Sequence, residues 1–113
     1  MKVIDVFCCY YAAEGEFNGV PRHGAAVRLT AESDAGNIKY EYSVSFFRHD
    51  DASDFGISYD AVFTDTAYSA RGRRSAKREK KLLSYLREKI DSLADANGGK
   101  VFWDQPLIEE RRG

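Results

Sequence analysis

Hydrophobic and polar residues alternate along much of the first two thirds of the chain, with the two-residue period of β-strands. The alternation is cleanest over residues 38–47, where the large apolar side chains all stand at even positions. Glycine, asparagine and proline residues predict a loop at 12–24 and a tight turn at 34–37. The pattern as a whole predicts five strands, at residues 2–11, 25–32, 38–47, 57–66 and 101–103.

The period changes to that of a helix from Ser75 to about Ala96. Five apolar residues fall on one stripe of this helix or at its edge: Leu82, Leu83, Leu86, Ile90 and Leu93. Glu79 projects into the middle of the same stripe, where packing gives no reason for a carboxylate. Gly98 and Gly99 are expected to end the helix, because glycine accepts the left-handed conformation of a helix cap.

The element order β-β-β-β-α-β predicts an α+β domain, with one long helix packed on a mixed, mostly antiparallel sheet of about five strands. The first strand is apolar on both faces, which is typical of a central strand covered on both sides. Because a helix that joins two strands usually acts as a crossover, we expect the last strand to lie parallel to the first. The pattern leaves open whether strand 38–47 is core or an exposed edge. Residues 1–108 are predicted to form a single domain, and residues 109–113 a frayed tail.

The composition is that of one globular domain: 113 residues, of which 43% are hydrophobic and 31% charged. No apolar run approaches the roughly 20 residues of a membrane helix, and Asp5 interrupts any signal peptide. The sequence therefore predicts a cytoplasmic protein. Cys8 and Cys9 are expected to be buried thiols, and no ligand set with metal-binding spacing accompanies them.

The net charge of −1 hides a strong division of charge along the chain. Residues 49–70 contain five aspartates and no lysine or arginine, whereas residues 71–89 contain nine basic and two acidic residues, a net charge of +7. Cations at the start of a helix oppose its dipole and cost stability, so their repetition favours an anionic partner. The alternative is a solvated face that the acidic stretch partly neutralises. The candidate binding residues are Arg71, Arg73, Arg74, Lys77, Arg78, Lys80 and Lys81.

The aspartates of residues 51–56 only superficially resemble a calcium loop. Phe55 stands where an oxygen ligand is needed, and Val62 replaces the closing glutamate. We interpret this segment as a solvated loop.

Two carboxylates form a second candidate site: Glu79, one turn into the helix, and Asp104, at the end of the last strand. With the element order, they resemble the ribonuclease H-like fold. That family has a Glu in the first turn of the helix, matched within residues 78–82, and an Asp after the following strand, matched within residues 101–105. Its first-strand Asp is missing, because the equivalent residues 7–10 read Phe-Cys-Cys-Tyr. The resemblance implies Mg²⁺ at Glu79 and Asp104 in a nuclease, or a degenerate member that binds without cleaving.

These observations predict a small, non-enzymatic interaction protein without a cofactor or a metal. Its basic helix face would bind nucleic acid or an acidic protein surface. Size and charge division are also compatible with an accessory or inhibitor protein of a phage or mobile element. The alternative function is a metal-dependent, ribonuclease H-like nuclease that uses Glu79 and Asp104 with Mg²⁺.

Overall fold

A computed structural model describes residues 2–17, 19–49 and 57–107, which form one sheet and one helix. The elements along the chain are β1 Lys2–Phe17, β2 Val20–Asp34, β3 Asn37–His49, β4 Ile57–Arg71, α1 Ala76–Ala96 and β5 Lys100–Pro106. The predicted α+β class, the number of strands and the order of the elements are confirmed.

The strands lie side by side in the order β4-β3-β2-β1-β5, and every neighbouring pair is antiparallel. The prediction that the last strand pairs with the first is right, but the predicted parallel direction is wrong. Three successive reversals make β4 run opposite to β1. The helix then returns the chain, so that β5 runs in the direction of β4 and opposite to its neighbour β1. Strand β3 lies inside the sheet, between β2 and β4.

The hydrophobic core lies between α1 and one face of the sheet. The helix contributes Leu82, Leu86, Ile90 and Ala94 to it. Alternate positions of β2 and β3 supply most of the strand side of the core: Ala25, Val27, Leu29, Ala31, Ile38, Tyr40, Val44 and Phe46. The even-numbered face of residues 38–47 is therefore core, as its alternation indicates.

The opposite face of the sheet has no helix or further strand packed on it within the described part of the chain. On this face Val3 is 58% exposed and Cys8 is exposed, while Cys9 on the helix side is half-buried. The prediction that β1 is covered on both faces, with two buried thiols, is therefore wrong. A single helix covers a single face, and a register shift between Asp5 and Phe7 brings apolar residues of both predicted faces to the helix side.

Two glycines that predicted a loop at 12–24 lie inside strands instead. Gly15 has a φ of +142° and stands at a register shift in β1, where the ladder to β2 is irregular. Gly24 lies in β2 beneath the ring of Phe47, which occupies the space of a Cβ atom. Both glycines therefore serve close approach and local irregularity, and among the described residues of this stretch only Gly19 lies in a turn.

The helix has nearly the bounds that its sequence predicts. Ser75 is the N-cap, and its side chain accepts a hydrogen bond from the backbone N–H of Arg78 at 3.2 Å. At the other end, the N–H of Gly99 donates to the carbonyl of Ala94 at 2.8 Å. No helix among the described residues combines the length and apolar character that crossing a membrane requires.

Candidate functional site

Glu79 is buried at the start of α1, and its carboxylate is the centre of a polar network. Arg74 donates to it twice, from Nε to Oε2 at 2.8 Å and from Nη2 to Oε1 at 2.9 Å. The hydroxyl of Tyr40 on β3 donates to Oε2 at 2.8 Å, and it accepts a hydrogen bond from the backbone N–H of Ser75 at 3.2 Å. The carboxylate that interrupts the apolar stripe thus joins the helix, the segment before it and the sheet.

The electrostatics of this network keep Glu79 ionised. The hydrogen bonds from the Arg74 guanidinium hold the pKa of Glu79 below its usual value, although burial acts in the opposite direction. Burial raises the pKa of Tyr40, whose hydroxyl therefore remains a donor. The charge of Arg74 is paired with that of Glu79 in the same chain. Arg74 is therefore the predicted binding residue that is least available to a ligand.

The other six predicted binding residues form what we call the basic surface: Arg71, Arg73, Lys77, Arg78, Lys80 and Lys81. Five of them are exposed, and Arg78 is half-buried with its guanidinium 4.2 Å from the centre of the Tyr68 ring. No carboxylate of the described residues forms an ion pair with any of the six. Ser75, Lys77, Arg78 and Lys81 line a depression of about 180 Å³ at the helix start. The structure thus brings Lys77, Arg78 and Lys81 together around one depression at the helix start.

No described carboxylate of the acidic stretch, residues 49–70, forms an ion pair with the basic surface, whose one described contact with this stretch is that of Arg78 with Tyr68. Residues 50–56 lie outside the described residues, and so does the predicted calcium-like loop. The chain enters and leaves that segment at His49 and Ile57, which pair at the opposite end of β3 and β4 from Arg71. Asp65 lines a groove with Lys89 beside the second half of α1. The described part of the acidic stretch therefore gives no support to neutralisation of the helix start.

The two carboxylates of the alternative site are far apart. Glu79 contacts Tyr40, which is level with Ile4 of β1, whereas Asp104 lies on β5 beside Tyr11. The separation between Ile4 and Tyr11 along β1 corresponds to about 20 Å. The three steps from β3 across β2 and β1 to β5 add about 14 Å perpendicular to the strands. Both oxygens of Glu79 are also already hydrogen-bonded. The residues present therefore do not fit a divalent cation held by Glu79 and Asp104.

The aspartate nearest to the missing first-strand ligand points elsewhere. Asp5 accepts hydrogen bonds from the guanidinium of Arg28 at 2.7 Å, on the face of the sheet opposite to α1. The Asp5 carboxylate therefore cannot share a metal ion with Glu79, whose side chain lies between α1 and the other face of the sheet. Among the described residues, no group of three or more histidine, cysteine, aspartate or glutamate side chains is arranged to hold a metal ion.

Sequence reasoning missed the role of Tyr40 and the partnership of Arg74. The available signal was Glu79 itself, since a carboxylate on a packing face requires donors nearby. Arg74 lies five residues earlier and outside the helix, so no helical spacing indicates the pair. Comparisons of this chain with protein-family models, with curated proteins and with solved structures find no match, and the resemblance to the ribonuclease H-like fold stays a prediction.

Proposed function

We propose that this chain is a non-enzymatic interaction protein whose basic surface binds a polyanion, with the phosphate backbone of nucleic acid as the favoured ligand. The observation that carries the proposal is a cluster of six cations that no described carboxylate neutralises. Lysine and arginine side chains bind phosphate groups through opposite charge and charge-assisted hydrogen bonds, and neutralising several phosphates releases bound counterions. An acidic protein surface is the other partner that this charge would attract.

The position of several cations at the start of α1 costs stability, which supports a role for them in binding. Each cation in the first turn of a helix opposes the helix dipole, at a cost of a few tenths of a kcal/mol. The network around Glu79 fixes the segment that carries Arg73 and the start of the helix that carries Lys77. Binding groups that are already held in place lose less conformational entropy when the ligand arrives. A positive surface that no described carboxylate pairs with, next to a segment held by hydrogen bonds, is thus a suitable receptor for phosphates.

The distance between Glu79 and Asp104 supports the non-enzymatic part of the proposal. A nuclease of the two-carboxylate type needs both groups on the same metal ions. Here Glu79 is engaged in holding Arg74 and the start of the helix. We therefore assign Glu79 a positioning role.

The test is binding of short labelled DNA, RNA and hybrid duplexes across a salt series. We expect affinity to fall steeply with salt, and the Lys77→Glu, Lys81→Glu double variant to reduce the logarithmic salt slope by about 2, one for each lost phosphate contact. The matched control is Arg48→Glu with Lys100→Glu, which makes the same charge change at exposed positions on other elements and should leave the slope unchanged.

Two results would overturn the proposal. One is the absence of binding to any duplex and to heparin at low salt. The other is Mg²⁺-dependent cleavage that Glu79→Gln abolishes, since this would restore the nuclease. Equal losses in the double variant and in its control would show that net charge, and not the basic surface, controls binding.

A further inference from the structure

The outward stripe of α1 changes sign halfway along the helix. It consists of residues spaced alternately four and three apart, all of them exposed: Lys77, Lys81, Ser84, Glu88, Asp91 and Asp95. This spacing keeps the six side chains on one helical face, opposite to the buried stripe around Leu86. The stripe is basic in the first half of the helix, neutral at its middle and acidic in the second half.

This arrangement does not stabilise the isolated helix. The dipole favours acidic residues at the start and basic residues at the end, which is the reverse of the order observed. Lys77 and Lys81 are a like-charge pair four residues apart, as are Asp91 and Asp95, and such pairs destabilise a helix. Asp91 has a partner within the fold, because its Oδ1 accepts a hydrogen bond from the indole N–H of Trp103 on β5 at 2.8 Å. Helix stability gives no reason for the order of the charges along the stripe, whereas a complementary surface would.

The stripe is complementary to itself when it is reversed. Lys77 and Asp95 lie nine residues on either side of Leu86, and Lys81 and Asp91 lie five residues on either side. Ser84 and Glu88 lie two residues on either side of the same point, which completes the symmetry. Two such helices related by a two-fold axis at Leu86 would run antiparallel, with each basic residue opposite an acidic one.

We propose that two copies of this chain associate through the outward stripes of α1, packed antiparallel about a two-fold axis. Lys77 of each copy pairs with Asp95 of the other, and Lys81 with Asp91. The antiparallel helix dipoles also attract each other.

The association is expected to be weak and sensitive to salt, because exposed ion pairs contribute little individually and salt screens them. It goes beyond the proposed function and does not depend on it. Lys77 and Lys81 belong to both the stripe and the basic surface, so that a polyanion and a second copy compete for them.

The experiment uses two variants that should not associate with themselves but should associate with each other. In a homodimer of the Lys77→Glu variant, the new glutamate of each copy lies opposite Asp95 of the other, so that both ends of the interface repel. In a homodimer of Asp95→Lys, the new lysine of each copy likewise lies opposite Lys77 of the other. In a mixture of the two, both ion pairs form again. Each substitution also follows the helix dipole, so that neither is expected to weaken the fold.

Sedimentation velocity of each protein at about 0.01 M salt provides the measurement, with about 1 M salt as the screened condition. We expect wild-type association to be lost at high salt, each variant alone to associate about tenfold less, and the mixture to recover it. The matched controls, Arg48→Glu and Glu16→Lys, change net charge equally at exposed positions outside α1. They should associate like the wild type, and mixing them should bring no gain.

A wild type that stays monomeric at low salt and at its highest soluble concentration would overturn the proposal. So would a mixture of the two variants that associates no better than each variant alone. A gain on mixing the control pair that equals the gain of the test pair would show general charge attraction and would also reject the stripe. None of these outcomes depends on nucleic acid, so that they are separate from the test of the basic surface.

Discussion

The first turn of α1 is anchored to the sheet by hydrogen bonds to a buried carboxylate, whereas its last turn is anchored by the close approach of glycine backbones. At the start, Glu79 receives donors from Arg74 and Tyr40. At the end, Gly99 lies against the carbonyl of Glu14, and its ideal Cβ position is 2.8 Å from the Cα atom of Gly15. The start depends on a buried carboxylate and therefore on pH, while the end depends on the close approach of Gly99 to β1 and on uncharged hydrogen bonds such as that from the Gly99 N–H to Ala94.

This difference has a functional consequence. At the helix start, the hydrogen-bonded Glu79 and Arg74 lie beside the exposed cations of the basic surface. An anchor made of glycines leaves no room for side chains and brings no charge. Under the proposed function the charged end is the one that meets the ligand, whereas the glycine end makes a tight connection from α1 into β5.

The largest expected effect comes from adding a methyl group at the glycine end. In Gly99→Ala the new Cβ would overlap the carbonyl of Glu14, so the backbone has to shift, and we expect a loss of about 3 kcal/mol in the free energy of unfolding. Gly98→Ala is the control. Its Cβ would meet nothing within 4 Å, and only its φ of +69° is unfavourable for alanine, at about 1 kcal/mol.

Urea denaturation of both variants measures this difference. A loss in Gly98→Ala that equals or exceeds the loss in Gly99→Ala would contradict anchoring by close approach. It would show instead that backbone conformation at the end of the helix is the dominant requirement.

The next effect is removal of the carboxylate at the charged end. Glu79→Ala leaves the Tyr40 hydroxyl and the Arg74 guanidinium without their shared acceptor, and we expect a loss of about 2 kcal/mol. The loss is limited because the Arg74 side chain is 44% exposed, so that solvent screens its ion pair. Glu88→Ala, an exposed glutamate on the same helix, should change the stability by less than about 0.5 kcal/mol. Similar losses in both variants would show that the network contributes nothing specific.

Acid should weaken the charged end by a smaller amount. Because the pKa of Glu79 is lowered in the folded state, its contribution is complete above the ordinary glutamate value of 4.5. It is lost as the pH falls below that value and through the folded pKa, because Glu79 becomes protonated. The stability of wild type minus that of Glu79→Gln, measured by urea denaturation from neutral pH downward, should therefore shrink on acidification. A constant difference would mean that Glu79 has the same pKa in both states.

Local features of the fold could be predicted from the sequence, because local chemistry sets them. The helix period begins at a serine that can cap it and ends at two glycines, which is why the bounds of α1 are almost those predicted. The alternation over residues 38–47 separated the apolar from the polar face of β3, although it left open whether the strand is core or an exposed edge. Glu79 was recognised as anomalous from its position on the wheel.

Features that depend on distant contacts could not be predicted. Gly24 accommodates the ring of Phe47 from another strand, and no local pattern distinguishes it from a loop glycine. The direction of β5 depends on how many reversals precede it. Arg74 and Tyr40 meet Glu79 from outside the helix, so that the sequence shows a misplaced acid while only the structure shows its donors.

The smallest expected effect tests whether the Tyr40 hydroxyl is an essential part of the anchor. Tyr40→Phe keeps the buried ring but removes one donor to Glu79 and the acceptor for the backbone N–H of Ser75. We expect a loss of about 1 kcal/mol, because Arg74 still binds the carboxylate and a single hydrogen bond contributes about this much. Tyr42→Phe is the matched control on the same strand face, since its hydroxyl has no hydrogen bond within the described residues, and it should be nearly neutral. If the two variants lose equal stability, the anchor at the helix start consists of Arg74 and Glu79 alone, and the sheet contributes only packing.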